Sequence, residues 1–298
     1  MNALTYIFPA ATLLLIFLFY FGTPSLKSAE LESVEKKSFC RLDCILLALI
    51  VILYSAAAFY NLGDTKAPQS FCHFQGNDSV TVDMGEDTAV NEILFYSGLN
   101  TGKCVVEYSH DGEFFYAVGC MDQKYSAPLK WNSVEFMDGM DSETRYIRIT
   151  SDSDLYIGEL SIRTEKGIVT GEGELFDEQS LVPDYMTYLN SSYFDEIYHA
   201  RTAYENIEGI YPYEISHPPL GKLIIAGGIE LFGMTPFGWR FSGTLFGVLM
   251  LPVLFVFLKK MFGGTAVPVC GTAIFAADFM HFTQTRIATI FVTAFSVH

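Results

Sequence analysis

Long apolar runs are spaced along this chain, and several have the length that crosses a lipid bilayer. Residues 4–22 and 42–62 are apolar almost throughout, and about 20 apolar residues cover roughly 30 Å of hydrocarbon as a helix. Residues 241–258 and 265–281 have the same character, and a further apolar run starts near Ile287. The pattern predicts an α-helical polytopic membrane protein. The first run is interpreted as a spanning helix because it lacks the preceding Lys or Arg of a signal peptide.

The part of the chain between Ser79 and Thr164 has a different pattern, with short alternating runs broken by Gly, Asp and Asn. Alternation with a period of two is typical of β-strands that have one buried face. His110, Asp111 and Gly112 have the composition of a hairpin turn. We therefore expect an inserted all-β jelly-roll sandwich with strands at SVTVDMG, EILFYSG, KCVVEYS, FFYAVGC, SVEFMDG, RYIRITS and YIGELSI.

The positions of Lys and Arg predict the side of the bilayer on which each loop lies, because these residues accumulate in short cytoplasmic loops. Cations lie between the first two apolar runs and directly after the third; they are Lys27, Lys36, Lys37, Arg41, Lys259 and Lys260. We expect those ends to be cytoplasmic. The N-terminus and residues 63–240 would then lie on the outer side of a cell (plasma) membrane.

The acidic residues are concentrated in the predicted external part. Residues 64–216 contain 28 Asp and Glu against 9 Lys and Arg, a net charge of −19, whereas the whole chain has a net charge of −16. Proteins that bind nucleic acid neutralise phosphates with cations. This composition therefore argues against a nucleic-acid partner and fits a solvated extracytoplasmic domain.

Three cysteines, Cys72, Cys104 and Cys120, fall in the external part. Cys104 and Cys120 are placed to pair across neighbouring strands in an oxidising compartment. An odd number of external thiols is untypical of a disulfide framework, so the pairing is left open. The spacing of Cys and His does not match a zinc site, and we expect no tightly bound metal.

Residues 193–209 predict an amphipathic helix at the outer surface of the bilayer. One face carries Ile197, Ala200, Tyr204 and Ile207, and the residues expected to stay polar are Asp195, Glu196 and Arg201. Residues 217–233 follow, a segment too short and too rich in Gly for a confident span. Trp239 then has the position of an interfacial aromatic.

Several motifs occur in order over residues 190–298. They are an aromatic-Asp-Glu string at Phe194, Asp195 and Glu196, His-Pro-Pro-Leu-Gly-Lys at 217–222, a Trp-Arg pair at Trp239 and Arg240, and Gln-Thr-Arg-Ile-Ala at 284–288. This order resembles the first external loop and following spans of the protein O-mannosyltransferases, which use dolichyl- or polyprenyl-phosphate-mannose. Those enzymes are membrane glycosyltransferases of the GT-C fold, in glycosyltransferase family 39.

The resemblance implies transfer of a sugar, typically mannose, from a polyprenyl-phosphate carrier to a Ser or Thr hydroxyl with inversion. Asp195, in a pair with Glu196, is the candidate general base for the acceptor hydroxyl. Fixed cations would stabilise the leaving phosphate, and the candidates are Arg240, Arg286, His217 and Lys222. The lipid-linked sugar is the donor substrate, and no further cofactor is implied.

Structural alternatives exist for three of these residues. Asp195 stands three residues after Ser192 and has the spacing of a helix cap. Lys222 has the position of an interfacial anchor that extends to headgroups, and His217 precedes two prolines that restrict the backbone.

A second resemblance concerns the predicted sandwich. VEYSHDGEFF followed by RYIRITSDSDLYIGELSI resembles the discoidin-type (coagulation factor 5/8 C-type) modules over about 95 residues. Such modules often bind sugars or anionic surfaces, and the alternative is a spacer without a ligand. Trp131, Tyr125 and Tyr108 are candidates for stacking on a sugar, although a core position is favoured for each.

Two departures from the mannosyltransferase pattern favour a different function. Relatives commonly have Asp after Arg-Ile-Ala-x-x, where this chain has Phe291, and they carry further spans beyond this point. The alternatives are therefore a truncated or inactive fragment, half of an enzyme that a second subunit completes, or a non-catalytic membrane-anchored protein for carbohydrate binding or adhesion. The acceptor would be a protein or a glycan.

The sequence predicts five regions. They are residues 1–63, two transmembrane helices with a cytoplasmic loop; 64–165, the extracytoplasmic sandwich; 166–190, a linker; 191–239, the catalytic external loop with interfacial helices; and 240–298, the transmembrane helices of a truncated GT-C core.

Overall fold

A computed structural model describes residues 39–136, 143–169 and 171–290. The helices within these ranges are α1 Arg41–Phe59, α2 Glu196–Ile207, α3 Pro219–Phe232, α4 Pro236–Phe262, α5 Ala266–Ala276 and α6 Phe279–Thr285, with a 3₁₀ turn at Gln179–Leu181. The strands are β1 Cys72–Phe74, β2 Ser79–Ser97, β3 Gly102–Ser109, β4 Tyr116–Gln123, β5 Lys130–Ser133, β6 Glu135–Phe136, β7 Glu143–Ser151, β8 Leu155–Thr164 and β9 Gly167–Val169. The predicted span at 4–22 and Phe291 lie outside the described residues.

The described chain forms two compact units, and their boundaries fall next to Ala58, within α4 and next to Thr283. One unit contains α1, the later part of α4, and α5 with α6. The other contains the strands, α2, α3 and the start of α4, together with the segment from Gln284.

The strands form an antiparallel β-sandwich, as the alternating pattern predicts. One sheet contains β5, the second half of β2 and β8, with β1 and β9 both on the outer edge of β8. The other sheet contains the first half of β2, then β7, β3, β4 and β6 in that order. Apolar side chains from both sheets form one buried core, which includes Val82, Phe95, Val106, Ile147 and Leu160.

Strand β2 belongs to both sheets, and this differs from the sequence prediction of two separate strands. Its pairing with β7 changes register between Asp83 and Thr88, and Gly85 in that stretch has a φ of 83°. A bulge with glycine in the left-handed region bends a strand without ending it. The Gly-containing stretch therefore redirects the chain from one sheet to the other.

The register of the hairpin β3–β4 excludes the Cys104–Cys120 disulfide in this structure. Cys104 lies opposite Met121, and Cys120 lies opposite Val105. Because successive side chains in a strand point to opposite faces, Cys104 faces the core and Cys120 faces outwards. Both are free thiols.

Residues 166–190, predicted from the sequence to be a linker, contribute to the sandwich. Residues 167–169 form β9, and Leu175 and Phe176 pack into the core. Leu160 donates its backbone N–H to Leu175 O at 2.8 Å. The other described positions of this range are exposed or half-buried, which fits its polar composition.

Helices occupy the apolar runs predicted at 42–62, 241–258 and 265–281, although α4 is longer than its run and the last run is divided between α5 and α6. Among the described residues, α1 (19 residues) and α4 (27 residues) are long and apolar enough to cross a membrane, and α5 with α6, bent by 57°, would make a third span. Within their unit, Lys259 Nζ at the end of α4 lies 2.7 Å from Asp43 Oδ2 at the start of α1. The cation-rich ends of both helices therefore lie together; the side of the bilayer they occupy remains a prediction.

Helix α2 packs against α3 with part of its predicted apolar face, since Ala200 is buried and Tyr204 and Ile207 are partly buried there. Arg201, which was expected on the polar face, is also buried. Ala200, Ala203 and Ile225 are buried in one cluster with Trp239. Trp239, which the sequence places at the membrane interface, is 0% exposed. Helices α3 and α4 approach closely, because a Cβ atom at Gly228 would lie 2.6 Å from Gly238 O. Gly228 thus serves packing.

Candidate active site

Asp195 stands directly before α2, at the point where the chain turns into the helix. Its side chain is half-buried, and it makes no hydrogen bond to the helix end. The preceding residue, Phe194, has a φ of 54°, a region that bulky residues rarely adopt. Such outliers persist only where neighbouring structure enforces them, so the backbone holds Asp195 in a defined position.

Glu196, the second residue of the acidic pair, has a different environment. It is 0% exposed, and its carboxylate accepts hydrogen bonds from the backbone N–H of Tyr193 at 2.8 Å and of Ala288 at 3.0 Å. The capping role that the sequence considers for Asp195 therefore belongs to Glu196. This leaves the Asp195 carboxylate available for another partner.

Arg240 forms a two-point ion pair with Glu196. Its Nε and Nη2 atoms each lie 2.7 Å from a carboxylate oxygen. The remaining N–H groups donate to three backbone carbonyls, those of Leu62 at 3.0 Å, Tyr188 at 2.8 Å and Ser191 at 3.1 Å. A guanidinium has five N–H groups, and all five are used.

This network assigns Arg240 a structural role in the present conformation. The side chain is 2% exposed and joins the segments around Leu62, Tyr188, Glu196 and Ala288. The structure therefore does not support the expectation that Arg240 contacts the carrier phosphate, or that Glu196 takes part in proton transfer.

Lys222 is also engaged. It is 2% exposed, its Nζ forms an ion pair with the Glu214 carboxylate, and it donates to Glu214 O at 2.5 Å. Burial acts to raise the pKa of Glu214, but hydrogen bonds from Lys222, Ser216 and His217 outweigh burial and hold that pKa well below its usual range. Lys222 is thus neutralised by a protein carboxylate, and neither the anchor nor the phosphate role matches its position.

His217 is the exposed member of this group. Its Nδ1 lies 3.2 Å from Glu214 Oε1, and its backbone N–H donates to the same oxygen at 3.2 Å. The Glu214 carboxylate therefore closes the turn before the two prolines, as the structural alternative for His217 expects. The exposed imidazole still faces solvent.

His199 is a further residue of the site, and no sequence motif identifies it. It is 3% exposed, its Nδ1 has no hydrogen-bond partner within the described ranges, and its ring meets that of His217 edge-on at 5.6 Å. Burial lowers the pKa of His199, while the charges of Asp195 and Glu214 act in the opposite direction. The available signal was its spacing, because a residue four positions after Asp195 shares its face of a helix.

Arg286 lies in the segment after α6. Its Nη2 donates to the carbonyls of Tyr60 at 2.8 Å and Asn61 at 2.7 Å, and the residue is half-buried. These bonds connect the segment after α6 to the segment after α1. Of the six predicted site residues, the structure brings Asp195, Glu196, Arg240, His217 and Lys222 around α2.

One group of carboxylates has the spacing of a cation site. Ligand oxygens of Glu159, Asp177 and Glu178 lie within 4.8 Å of one another. Glu159 is 0% exposed, and burial raises its pKa to about 7. Hydrogen bonds from Ser70 to Asp177 and Glu178 hold the two outer carboxylates. None of the predicted catalytic residues belongs to this group.

The chain has relatives among enzymes that use lipid-linked mannose, although no protein-family model matches it. It is 32% identical over 112 residues to the polyprenol-phosphate-mannose–protein mannosyltransferase of Mycobacterium tuberculosis, a match covering 35% of this chain and 22% of the relative. The proteins of the same name from Mycolicibacterium smegmatis (34% over 85 residues; 28% and 16%) and Corynebacterium glutamicum (34% over 64 residues; 22% and 12%) also match. The resemblance inferred from the motifs is confirmed. The match spans about a fifth of the length of the M. tuberculosis relative.

Two solved structures resemble part of the chain. One is CpGH89CBM32-6 produced by Clostridium perfringens, with a TM-score of 0.27 and 24% identity, covering 35% of this chain and 83% of that one. The other is the C-terminal domain of a chitobiase from Bacteroides fragilis, with a TM-score of 0.28 and 19% identity, covering 36% and 78%. These scores are too low to carry an argument. The β-sandwich is therefore assigned from the pairing of its strands.

Proposed function

We propose that this chain is part of a multi-pass membrane glycosyltransferase of the GT-C fold, with its sandwich and catalytic loop outside a plasma membrane. The enzyme transfers a sugar, mannose in the first instance, from a polyprenyl-phosphate carrier to a Ser or Thr hydroxyl of a protein, with inversion. The similarity to polyprenol-phosphate-mannose–protein mannosyltransferases supports the donor and the acceptor class.

The observation that carries the proposal is the contrast between Asp195 and Glu196. Glu196 is held by four hydrogen bonds in a buried ion pair, whereas Asp195 is half-buried with no capping bond. A rigid neighbour and an available carboxylate are what a general base requires, because its position relative to the acceptor must be fixed.

In this mechanism the acceptor oxygen attacks the anomeric carbon as Asp195 removes its proton. The bond between that carbon and the carrier phosphate breaks, and the phosphate leaves with both electrons. His217 and Arg286 remain as predicted contacts for the phosphate. Arg240 and Lys222 are buried in ion pairs, whereas the His217 ring is exposed beside Glu214 and Arg286 is half-buried. Such contacts lower the barrier by stabilising charge that develops on the leaving group.

The test compares Asp195→Asn with Glu208→Gln, which removes an exposed carboxylate at the other end of α2. Membranes containing each variant receive radiolabelled polyprenyl-phosphate-mannose and a Ser/Thr-rich peptide. We expect transfer to be lost in Asp195→Asn and kept in Glu208→Gln, with equal amounts of folded protein. Equal transfer by both variants would remove Asp195 from the mechanism. No transfer by the unmodified chain would favour the carbohydrate-binding or adhesion function.

A further inference from the structure

A cleft of about 860 Å³ lies beside the sandwich, between strands β4 to β6 and residues 186–193. Binding sites for small ligands commonly have volumes of about 300–1,000 Å³. Phe95 and Trp131 are buried at its base, and Tyr188 and Tyr193 are exposed on its rim. Because residues 186–193 lead into α2, the cleft ends two residues before Asp195.

The segment on this side of the cleft is fixed to the sandwich. The backbone N–H of Trp131 donates to Ser191 Oγ at 3.1 Å, Ser192 Oγ donates to Pro128 O at 2.7 Å, and the Ser192 N–H donates to Leu129 O at 2.9 Å. The cleft and the start of α2 therefore belong to one connected framework.

The cleft contains cations, although the surrounding domain is strongly acidic. It is lined by Lys103, Lys124 and Lys130, and by Asp122 and Glu135. Asp122 lies near two of the lysines, at 3.7 Å from Lys103 and 3.4 Å from Lys124. Lys130 is half-buried and has no ion pair with any described residue. Burial lowers the pKa of Lys130. An unpaired ammonium at this position suits a ligand that supplies a carbonyl or carboxylate oxygen.

The strand edges at the cleft offer little room for another strand. Residues 191 and 192 already bond to the chain at the outer side of β5, and β6 has only two residues. The choice of ligand therefore depends on charge. The cleft presents the Lys130 ammonium together with the carboxylates of Asp122 and Glu135, and a polypeptide carries carbonyl oxygens and charges of both signs, whereas a neutral sugar carries no charge.

We propose that this cleft binds the acceptor polypeptide and delivers its Ser or Thr hydroxyl to Asp195. The cleft lies close enough to Asp195 for this. Tyr193 on its rim is two residues from Asp195, and two residues of extended chain span about 7 Å. The inference rests on the proposed function, and its test is independent of transfer.

The test uses two cysteines of the full-length chain in detergent or nanodiscs. Cys120 lines the cleft and Cys72 does not, yet both are half-buried free thiols. Burial raises the pKa of both thiols, so both should react slowly with a maleimide at mildly alkaline pH. The rate of labelling at each cysteine is measured by mass spectrometry, without donor, as Ser/Thr-rich dodecapeptides are added.

We expect peptide to slow labelling of Cys120 several-fold and to leave Cys72 unchanged. Lys130→Ala should raise the peptide concentration that gives half-protection about tenfold. A tenfold change in affinity corresponds to about 1.4 kcal/mol, which is close to the lower end of what a hydrogen bond to a charged group contributes. Lys166→Ala, which removes an exposed lysine of the same sandwich, should have no effect.

Absence of protection at millimolar peptide overturns the inference, whether or not transfer occurs. Protection by mannan oligosaccharides but not by peptides would instead identify a glycan site. Protection without transfer would retain the cleft and reject the proposed function.

Discussion

Replacement of Arg240 by Met separates a structural role from a phosphate-binding role. The substitution removes both hydrogen bonds to the Glu196 carboxylate and the donors to the carbonyls of Leu62, Tyr188 and Ser191. Glu196 would keep two backbone N–H donors but would hold an unpaired charge at 0% exposure. Loss of one partner from a buried ion pair costs about 3–5 kcal/mol.

This loss should be visible in thermal unfolding. For domains of 150–250 residues, 1 kcal/mol shifts the melting temperature by about 2–4 °C, so Arg240→Met should melt roughly 6–20 °C below the unmodified chain. The double variant Glu196→Gln with Arg240→Met removes both charges, and it should recover part of the loss because no buried charge remains unpaired.

The control is Arg145→Met, because Arg145 makes a pair of the same two-point geometry with Asp83 at 2.8 and 2.9 Å on the exposed surface. Solvent screens exposed pairs, so its melting temperature should change little. The reasoning is refuted if Arg240→Met melts like the unmodified chain and loses only donor binding. That result would restore the phosphate-binding assignment made from the sequence.

The remaining predictions concern pH, metal and redox state. The folded-state pKa of His199 lies below its unfolded value, so stability should fall as pH drops below about 6.5, and His199→Gln should reduce this fall in melting temperature. The folded-state pKa of Glu159 is raised to about 7, so its contribution to stability is lost as pH rises from about 4.3 towards that value. Glu159→Gln should flatten this part of the profile, and a profile unchanged by the substitution would contradict the shift. Transfer should persist with a chelator, because the Glu159 group includes none of the proposed catalytic residues; loss reversed by calcium would count against this. Reductant should leave the melting temperature unchanged, since Cys104 and Cys120 face opposite sides of their sheet.

The secondary structure was largely predictable because its signals are local. Apolar length identifies α1 and α4, and alternation identifies most strands. Strand β2 was divided in two because a bulge at Gly85 has the same composition as a turn. The Cys104–Cys120 pairing was left open because it depends on strand register, and slippage by a single residue moves a side chain to the other face of the sheet. Neither a bulge nor a register can be distinguished from its alternative by composition.

The candidate site was predictable as a set of residues but not as a set of contacts. The motifs identify Glu196 and Arg240 separately, and their pairing joins positions 44 apart in the chain. Lys222 has the sequence position of a membrane anchor, but the Glu214 carboxylate in the preceding turn neutralises it. His199 was overlooked because a single histidine in an amphipathic helix has no distinctive pattern. Burial and pairing, which decide these roles, are tertiary properties.

The opposite environments of Asp195 and Glu196 follow from their position at a helix start. Consecutive residues there point in directions about 100° apart, so one can enter the core while its neighbour stays at the surface. The buried pair of Glu196 with Arg240 carries a desolvation cost that its attraction only partly offsets. The pair contributes chiefly to geometry, because it joins four segments of the chain at one point. A carboxylate at position 195 is therefore held in place by the one at 196. This explains how two adjacent acidic residues can have one structural and one chemical role.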